Sequence, residues 1–269
     1  MTIQTFRKLV LTYFEGHGRH TLPWRKTKNP YKILVSEIML QQTQVERVLP
    51  YYHAWLEKFP TMQDLAAAPL AEVLRAWQGL GYNRRAKMLH DAAKEIVFNR
   101  GGKFPKTVPE LESLPGVGHY TARAVAAFAY DQDVVMIETN IRTAVTHHFF
   151  TGHEKVSDQD ILVLLEKSLP KGAARLWYAA LMDYGSFLKS QGIRINSKAQ
   201  SYTKQKKFEG SARQLRGAIL RLVLEEPQSE KSLIKLLGVD KSAEIVLQVA
   251  ALAKEGLLEK MGVRYQLPL

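Results

Sequence analysis

The chain has no cysteine in its 269 residues. That excludes disulfides, thiolate-bound zinc and iron–sulfur clusters held by thiolates. It has no apolar run of membrane-spanning length, and its first residues, MTIQTFRKLV, lack a signal-peptide pattern, so a cytoplasmic, nucleoid-associated protein without membrane contact is expected. Walker, dinucleotide-glycine and Gly-x-Ser-x-Gly motifs are missing, which argues against nucleotide-driven and serine-hydrolase chemistry. Acidic residues are few: 26 Asp and Glu stand against 38 Lys and Arg, a formal charge of +12. Such a balance points to a polyanion, nucleic acid first and an anionic membrane surface second. Alternating β-branched runs are absent from the main body, so the fold class is all-α. His17 with His20, and adjacent His147 and His148, have no acidic cluster beside them and read as surface or capping residues, with no metal site.

Length suggests two domains and a further small module. The spacing predicts helices over Ile3 to Glu15, Ala71 to Gln78, Ala86 to Asn99, Ile141 to Phe150, Ile161 to Leu169 and Lys171 to Lys189. The basic, apolar-poor stretch near 197–210 reads as a linker able to touch phosphates. Beyond it, helices at Ala212 to Glu226, Ser229 to Leu236 and Lys241 to Glu255, followed by a terminal hairpin, suggest a winged-helix-like module over 211–269. Its third helix is poor in Arg, Asn and Gln, so base readout in a major groove is not expected and protein contact is an equal alternative.

The stretch NPYKILVSEIMLQQTQ, residues 29–44, places one carboxylate, Glu37, in an otherwise apolar run. Asn29 suits a helix cap and Pro30 the first helical position. The helix is expected to run on and break near Pro50. A glutamate on such a helix either snorkels to solvent or is desolvated, with its pKa raised so that it donates a proton near neutrality. The polar cluster that follows, including Gln41 and Gln42, suits base edges and favours the second reading.

Three other stretches carry chemistry. In LGYNRR, Tyr82 stands in a glycine-flanked turn beside Arg84 and Arg85, an aromatic that can enter beside a base while arginines hold phosphates. In LPGVGHYT, two helical segments flank a tight glycine turn. Backbone N–H groups of Gly116, Val117, Gly118, His119 and Thr121, at the positive end of the next helix, form a phosphate nest. Glu138 precedes the helix from Ile141, where the macrodipole favours an ionised carboxylate. Glu37 and Glu138 thus look like a division of labour between a protonated and an anionic carboxyl.

Taken in order, WRKTKNPYKILVSEIMLQQTQVERVLPYY, GLGYNRRAKML, GGKFP, LPGVGHYTARAV and IETNIRTAV closely resemble the helix-hairpin-helix DNA glycosylases of the MutY type, over about Leu22 to Tyr184. The resemblance implies a two-lobed core over 1–196, with lobes at about 29–133 and at 1–28 with 134–196. It implies a monofunctional enzyme of base excision repair acting on double-stranded DNA as a monomer, with adenine opposite 8-oxoguanine or guanine as target. By position, Glu37 would protonate the leaving base, Glu138 would stabilise the sugar cation and Tyr120 would assist. Gln41, Gln42, Tyr82 and Arg25 would shape the base pocket and wedge. No cofactor is implied beyond a monovalent cation on the hairpin carbonyls.

The chain departs from the pattern in three places. Glu138 stands where the family usually has aspartate. SFLKSQGIRINSKAQ replaces the four-cysteine loop, and the module at 211–269 replaces the domain that reads 8-oxoguanine. Excision of thymine or uracil opposite guanine is therefore an alternative, and non-catalytic binding of damaged DNA is another.

Overall fold

A computed structural model describes residues 1–193, 195 and 208–268. Most of the expected linker lies outside the described residues. The described elements include fourteen α-helices and three short strands, and they form two compact units.

The first unit comprises Met1–Glu37, Pro105–Ser113 and Val117–Lys204. Helices α1 (Ile3–His17), α8 (His119–Tyr130), α9 (Thr139–Phe149), α10 (Asp158–Ser168) and α11 (Ala174–Ser190) surround its core. Phe6, Val10, Ala124, Ala127, Ile141, Val145, Trp177 and Leu181 are fully buried together there. Alanines on α8 keep that helix thin enough for its backbone to approach α11, while Trp177 and Phe6 meet edge to face with centroids 5.8 Å apart. This division differs from the expected lobes. Residues 117–133 belong with the terminal segments, because the alanine face of α8 is buried in their core.

The second unit comprises Ile38–Phe104, Leu114–Gly116 and Gln205–Leu269. It contains α3 (Val45–Lys58), α4 (Met62–Ala67), α5 (Leu70–Trp77) and α6 (Arg84–Lys94), with Trp55 and Trp77 packed edge to face at 5.4 Å. Helix α2 (Pro30–Leu40) contributes residues to both units, and α7 (Val108–Glu112) belongs to the first.

The C-terminal segment also belongs to the second unit. It runs α12 (Ala212–Glu225), β1 (Gln228–Ser229), α13 (Glu230–Leu237), α14 (Ser242–Lys254), β2 (Glu259–Met261) and β3 (Arg264–Gln266). The expected hairpin is there, and β1 adds an antiparallel partner, giving the order β1-β3-β2 with Gln228 opposite Tyr265. Tyr265 is buried and donates its hydroxyl to Glu230 at 2.8 Å, fastening the hairpin to the start of α13.

Two local features differ from the sequence reading. Helix α2 ends at Leu40, well before Pro50, and Pro50 lies inside α3. The stop comes from Arg85, whose guanidinium takes the carbonyls of Ile38, Met39 and Gln41 at 2.8, 3.0 and 2.6 Å. Carbonyls at a helix end need such donors, and the supplier here is 44 residues away in sequence. In the hairpin turn only Gly116 requires glycine. Its φ is +72°, and an added Cβ would meet Cβ of Met88 at 2.4 Å, whereas Gly118 has φ −85° and open space around it.

Candidate active site

The acidic centre lies within the first unit. On α2, Asn29 accepts the backbone N–H of Tyr31 at 2.9 Å and of Lys32 at 3.3 Å, so the helix begins at Pro30. Residues from Ile33 to Met39 are all buried, so the helix has no solvated face along that length. Glu37 therefore cannot snorkel to water, and it is 7% exposed. Its Oε2 accepts the hydroxyl of Tyr120, the second residue of α8, at 3.1 Å. Burial pushes the Glu37 carboxyl up to about 7. The Tyr120 bond and the Arg25 charge oppose that rise, and the charge of Glu138 adds to it. Tyr120 itself is raised well above the usual phenol range by burial and by both carboxylates, so it stays a neutral donor.

Glu138 is held by the start of α9. An extended run before it is clipped by Tyr178, whose hydroxyl donates to the Val134 carbonyl at 2.8 Å and accepts the Met136 N–H at 3.3 Å. Glu138 is the cap of α9, in extended geometry, and its Oε1 accepts the N–H groups of Asn140 and Ile141 at 2.7 and 2.8 Å. The Asn140 amide reaches Oε2 at 3.3 Å, and Lys189 holds the other end of that amide at 2.7 Å. Burial raises the Glu138 carboxyl, while the two amides, Lys189 and Arg19 pull it down. The helix end favours the ionised carboxylate as the sequence suggests, and burial is the larger influence against it.

Sequence reasoning missed the residues of α11 that shape this centre. Asp183 is 3% exposed and receives Arg19 and Arg25 together, with Arg25 bonding both oxygens at 2.5 and 2.8 Å. Those guanidiniums hold its carboxyl below the usual range. Gly185 gives α9 room, since a Cβ there would lie 2.0 Å from the Asn140 carbonyl oxygen. A buried aspartate and a buried glycine on one helix have no motif to announce them. Arg25, expected in the base pocket, has its guanidinium engaged with Asp183 and over the Phe14 ring at 5.4 Å, and its charge still reaches Glu37.

The expected wedge residues lie in the second unit. Gln42 and Tyr82 both adopt left-handed backbone, at φ 57° and 49°, costing on the order of 1 kcal/mol each for a residue with a side chain. Along with Gln41, Arg84 and Arg85 they line one groove. Arg85, expected to hold phosphate, instead gives its guanidinium to the α2 carbonyls and to those of Leu80 and Gly81, at 3.4 and 3.2 Å. Arg84 is exposed.

Of the hairpin residues, His119 is exposed beside Glu112 at 2.9 Å, and Val117 and Thr121 are buried, which leaves only their backbone for an anion. The first turn of α8 supplies N–H groups without intrahelical partners. Among the described residues no group of three or more His, Asp or Glu is placed to hold a metal. An iron–sulfur cluster would need thiolates, and the chain has none. His20 and His148 bond the Phe14 carbonyl and the Tyr184 hydroxyl. No helix of the described residues is long and apolar enough to cross a membrane.

Comparison with known proteins places the chain in a family. The family model described as HhH-GPD superfamily base excision DNA repair protein matches residues 35–171, about half of the chain. An adenine DNA glycosylase of Mycolicibacterium smegmatis is 44% identical over 179 residues, 66% of this chain and 61% of that protein. One from Buchnera aphidicola is 33% identical over 216 residues, 78% of this chain and 62% of that protein. The chain thus spans about three fifths of the length of these two curated relatives. Among solved structures, a thermostable thymine-DNA glycosylase superposes with TM-score 0.60 at 27% identity, covering 68% of this chain and 86% of that one. A non-covalent endonuclease III–DNA complex superposes with TM-score 0.61 at 22% identity, covering 73% and 92%, a likeness of fold alone.

Proposed function

Because the chain belongs to the HhH-GPD superfamily of base excision DNA repair proteins, we propose that it is a monofunctional DNA glycosylase that releases adenine mispaired with 8-oxoguanine or guanine. The observation that carries this reading is the desolvated Glu37, held near neutrality by burial and fixed by Tyr120. Similarity to curated adenine DNA glycosylases supports the choice of base.

The reaction is hydrolysis of the N-glycosidic bond of a nucleotide drawn out of the duplex. Tyr120 donates to Oε2 of Glu37, leaving Oε1 for the transferable proton. That proton passes to a ring nitrogen of adenine as the bond to the sugar lengthens, so the base departs neutral. Positive charge on the sugar is met by Glu138, whose carboxyl is raised by burial while two backbone amides and two cations draw it back toward the anion. Water then adds to the sugar carbon and passes a proton to the carboxylate left on Glu37, giving an abasic site and restoring the acid. Chain position 120 carries a phenol, which cannot form a Schiff base, so strand cleavage by a lyase step is not expected. Gln42 and Tyr82 hold the distorted duplex, and the hairpin amides with Arg84 bind phosphate.

A second reading rests on the superposition with a thymine-DNA glycosylase: thymine or uracil opposite guanine as the target. Both readings are tested by one panel. Duplexes with A opposite 8-oxoguanine, A:G, T:G, U:G and hypoxanthine are incubated with the protein and abasic sites are cleaved with alkali. Cleavage of the first two is expected. Cleavage confined to T:G and U:G supports the second reading, and tight binding with no cleavage on any duplex makes the protein a binder only.

A further inference from the structure

A groove of about 930 Å³ in the second unit has α12 as one wall. Residues at 213, 216, 217, 220, 221 and 224 line it, one face of the helix at three- and four-residue steps. Arg47, Tyr82 and Arg84 also line the groove. Six guanidiniums line this groove against one carboxylate, Glu255, which is paired with Arg216 at 2.6 Å. Arg213 lies over the Tyr82 ring at 5.2 Å and donates to its hydroxyl. Arg85 is committed to carbonyls and Arg47 donates to the Gly79 carbonyl, but Arg84 and Arg221 are exposed and have no such bond among the described residues. From Arg213 to Arg221 the helix advances about 12 Å, an axial length in which one DNA strand carries three to four phosphates. By contrast α14, the third helix of the module, has a single basic residue, Lys254.

We propose that the C-terminal module grips the phosphodiester backbone of one DNA strand through its first helix, with Arg213, Arg216 and Arg221 facing Tyr82 and Arg84. Helix α12 lies outside the family match at 35–171, so the grip belongs to the part of the chain that the family model does not reach. Leu74, Met88, Leu220 and Leu224 also line the groove, but six guanidiniums against one carboxylate, with glutamines and an aromatic ring, fit a phosphodiester strand better than an apolar protein surface. This inference rests on the glycosylase reading for its choice of DNA as the polyanion.

The test uses the full chain and a duplex oligonucleotide without a mispair, with affinity followed by fluorescence anisotropy from about 0.05 to about 0.2 M salt. Arg221→Ala is expected to make the slope of log affinity against log salt shallower by about 0.9, and Arg213→Ala with Arg221→Ala by about 1.8. Lys231→Ala with Lys235→Ala, on α13 of the same module, serves as the control and should leave the slope unchanged. Arg221 is exposed, so its single variant carries the test if the double variant unfolds on a thermal melt. An unchanged slope in the Arg221 variant, an equal change in the control, no duplex binding by the parent chain, or a loss seen on single-stranded RNA and not on duplex DNA each overturns the inference. Base release is scored separately. A shallower slope in a protein that excises no base keeps the grip and removes the glycosylase reading. Excision with an unchanged slope does the reverse.

Discussion

Tyr120 donates its hydroxyl to Glu37 at 3.1 Å, and both groups are raised in pKa chiefly by burial. The bond favours the ionised carboxylate and burial disfavours it more, which sets Glu37 near 7 rather than higher. Tyr120→Phe removes the larger of the two opposing influences and leaves the Arg25 charge. The Glu37 pKa should rise, and the alkaline limb of a single-turnover pH–rate profile should move to higher pH. A limb that stays in place or moves to lower pH contradicts the link between these residues.

Stability should record the same burial. A carboxyl raised from 4.5 to about 7 on folding binds protons more tightly in the folded state, so folding stability falls as pH rises from about 4.5 through about 7 and is level beyond. The full swing is about 3 kcal/mol. Glu37→Gln, which does not titrate, should lose this dependence and be more stable than the parent at pH 8 than at pH 4, relative to each other. Urea denaturation at both pH values measures the difference, and equal shifts at both contradict it.

Gly185 tests how Glu138 is placed. An alanine Cβ there meets the Asn140 carbonyl oxygen at 2.0 Å, which is backbone and cannot rotate away. Gly185→Ala should push the first turn of α9 from α11, destabilise the protein by about 1–3 kcal/mol and slow base release, because Asn140 supplies an amide to Glu138. Turnover equal to the parent would show that α9 does not depend on this approach.

Some of this was legible in the residues and some was not. Glu37, Tyr120 and Glu138 stand in short stretches whose order resembles one family, and the structure gathers them in one unit. Helix α2 was read too long because its stop is supplied by Arg85, and local sequence carries no sign of a donor 44 residues away. Asp183 and Gly185 went unseen because their roles depend on which helix α11 meets. Strand β1 is two residues long and exists only through pairing with β3, so no periodicity could reveal it. The two compact units divide differently from the expected lobes for a related reason. Alanines on α8 suit a close helix contact, yet they do not say with which helix.

The central claim, that Glu37 is the proton donor, is tested most directly by single-turnover release of adenine opposite 8-oxoguanine across pH 5 to 9 with saturating protein. For the parent chain the rate should hold below about pH 7 and fall about tenfold per unit above it, as the carboxyl loses its proton. Glu37→Gln should bind the duplex while releasing base about 10²–10⁴-fold more slowly at every pH. A parent rate that stays flat to pH 9, or a Glu37→Gln rate within a few-fold of the parent, contradicts the account.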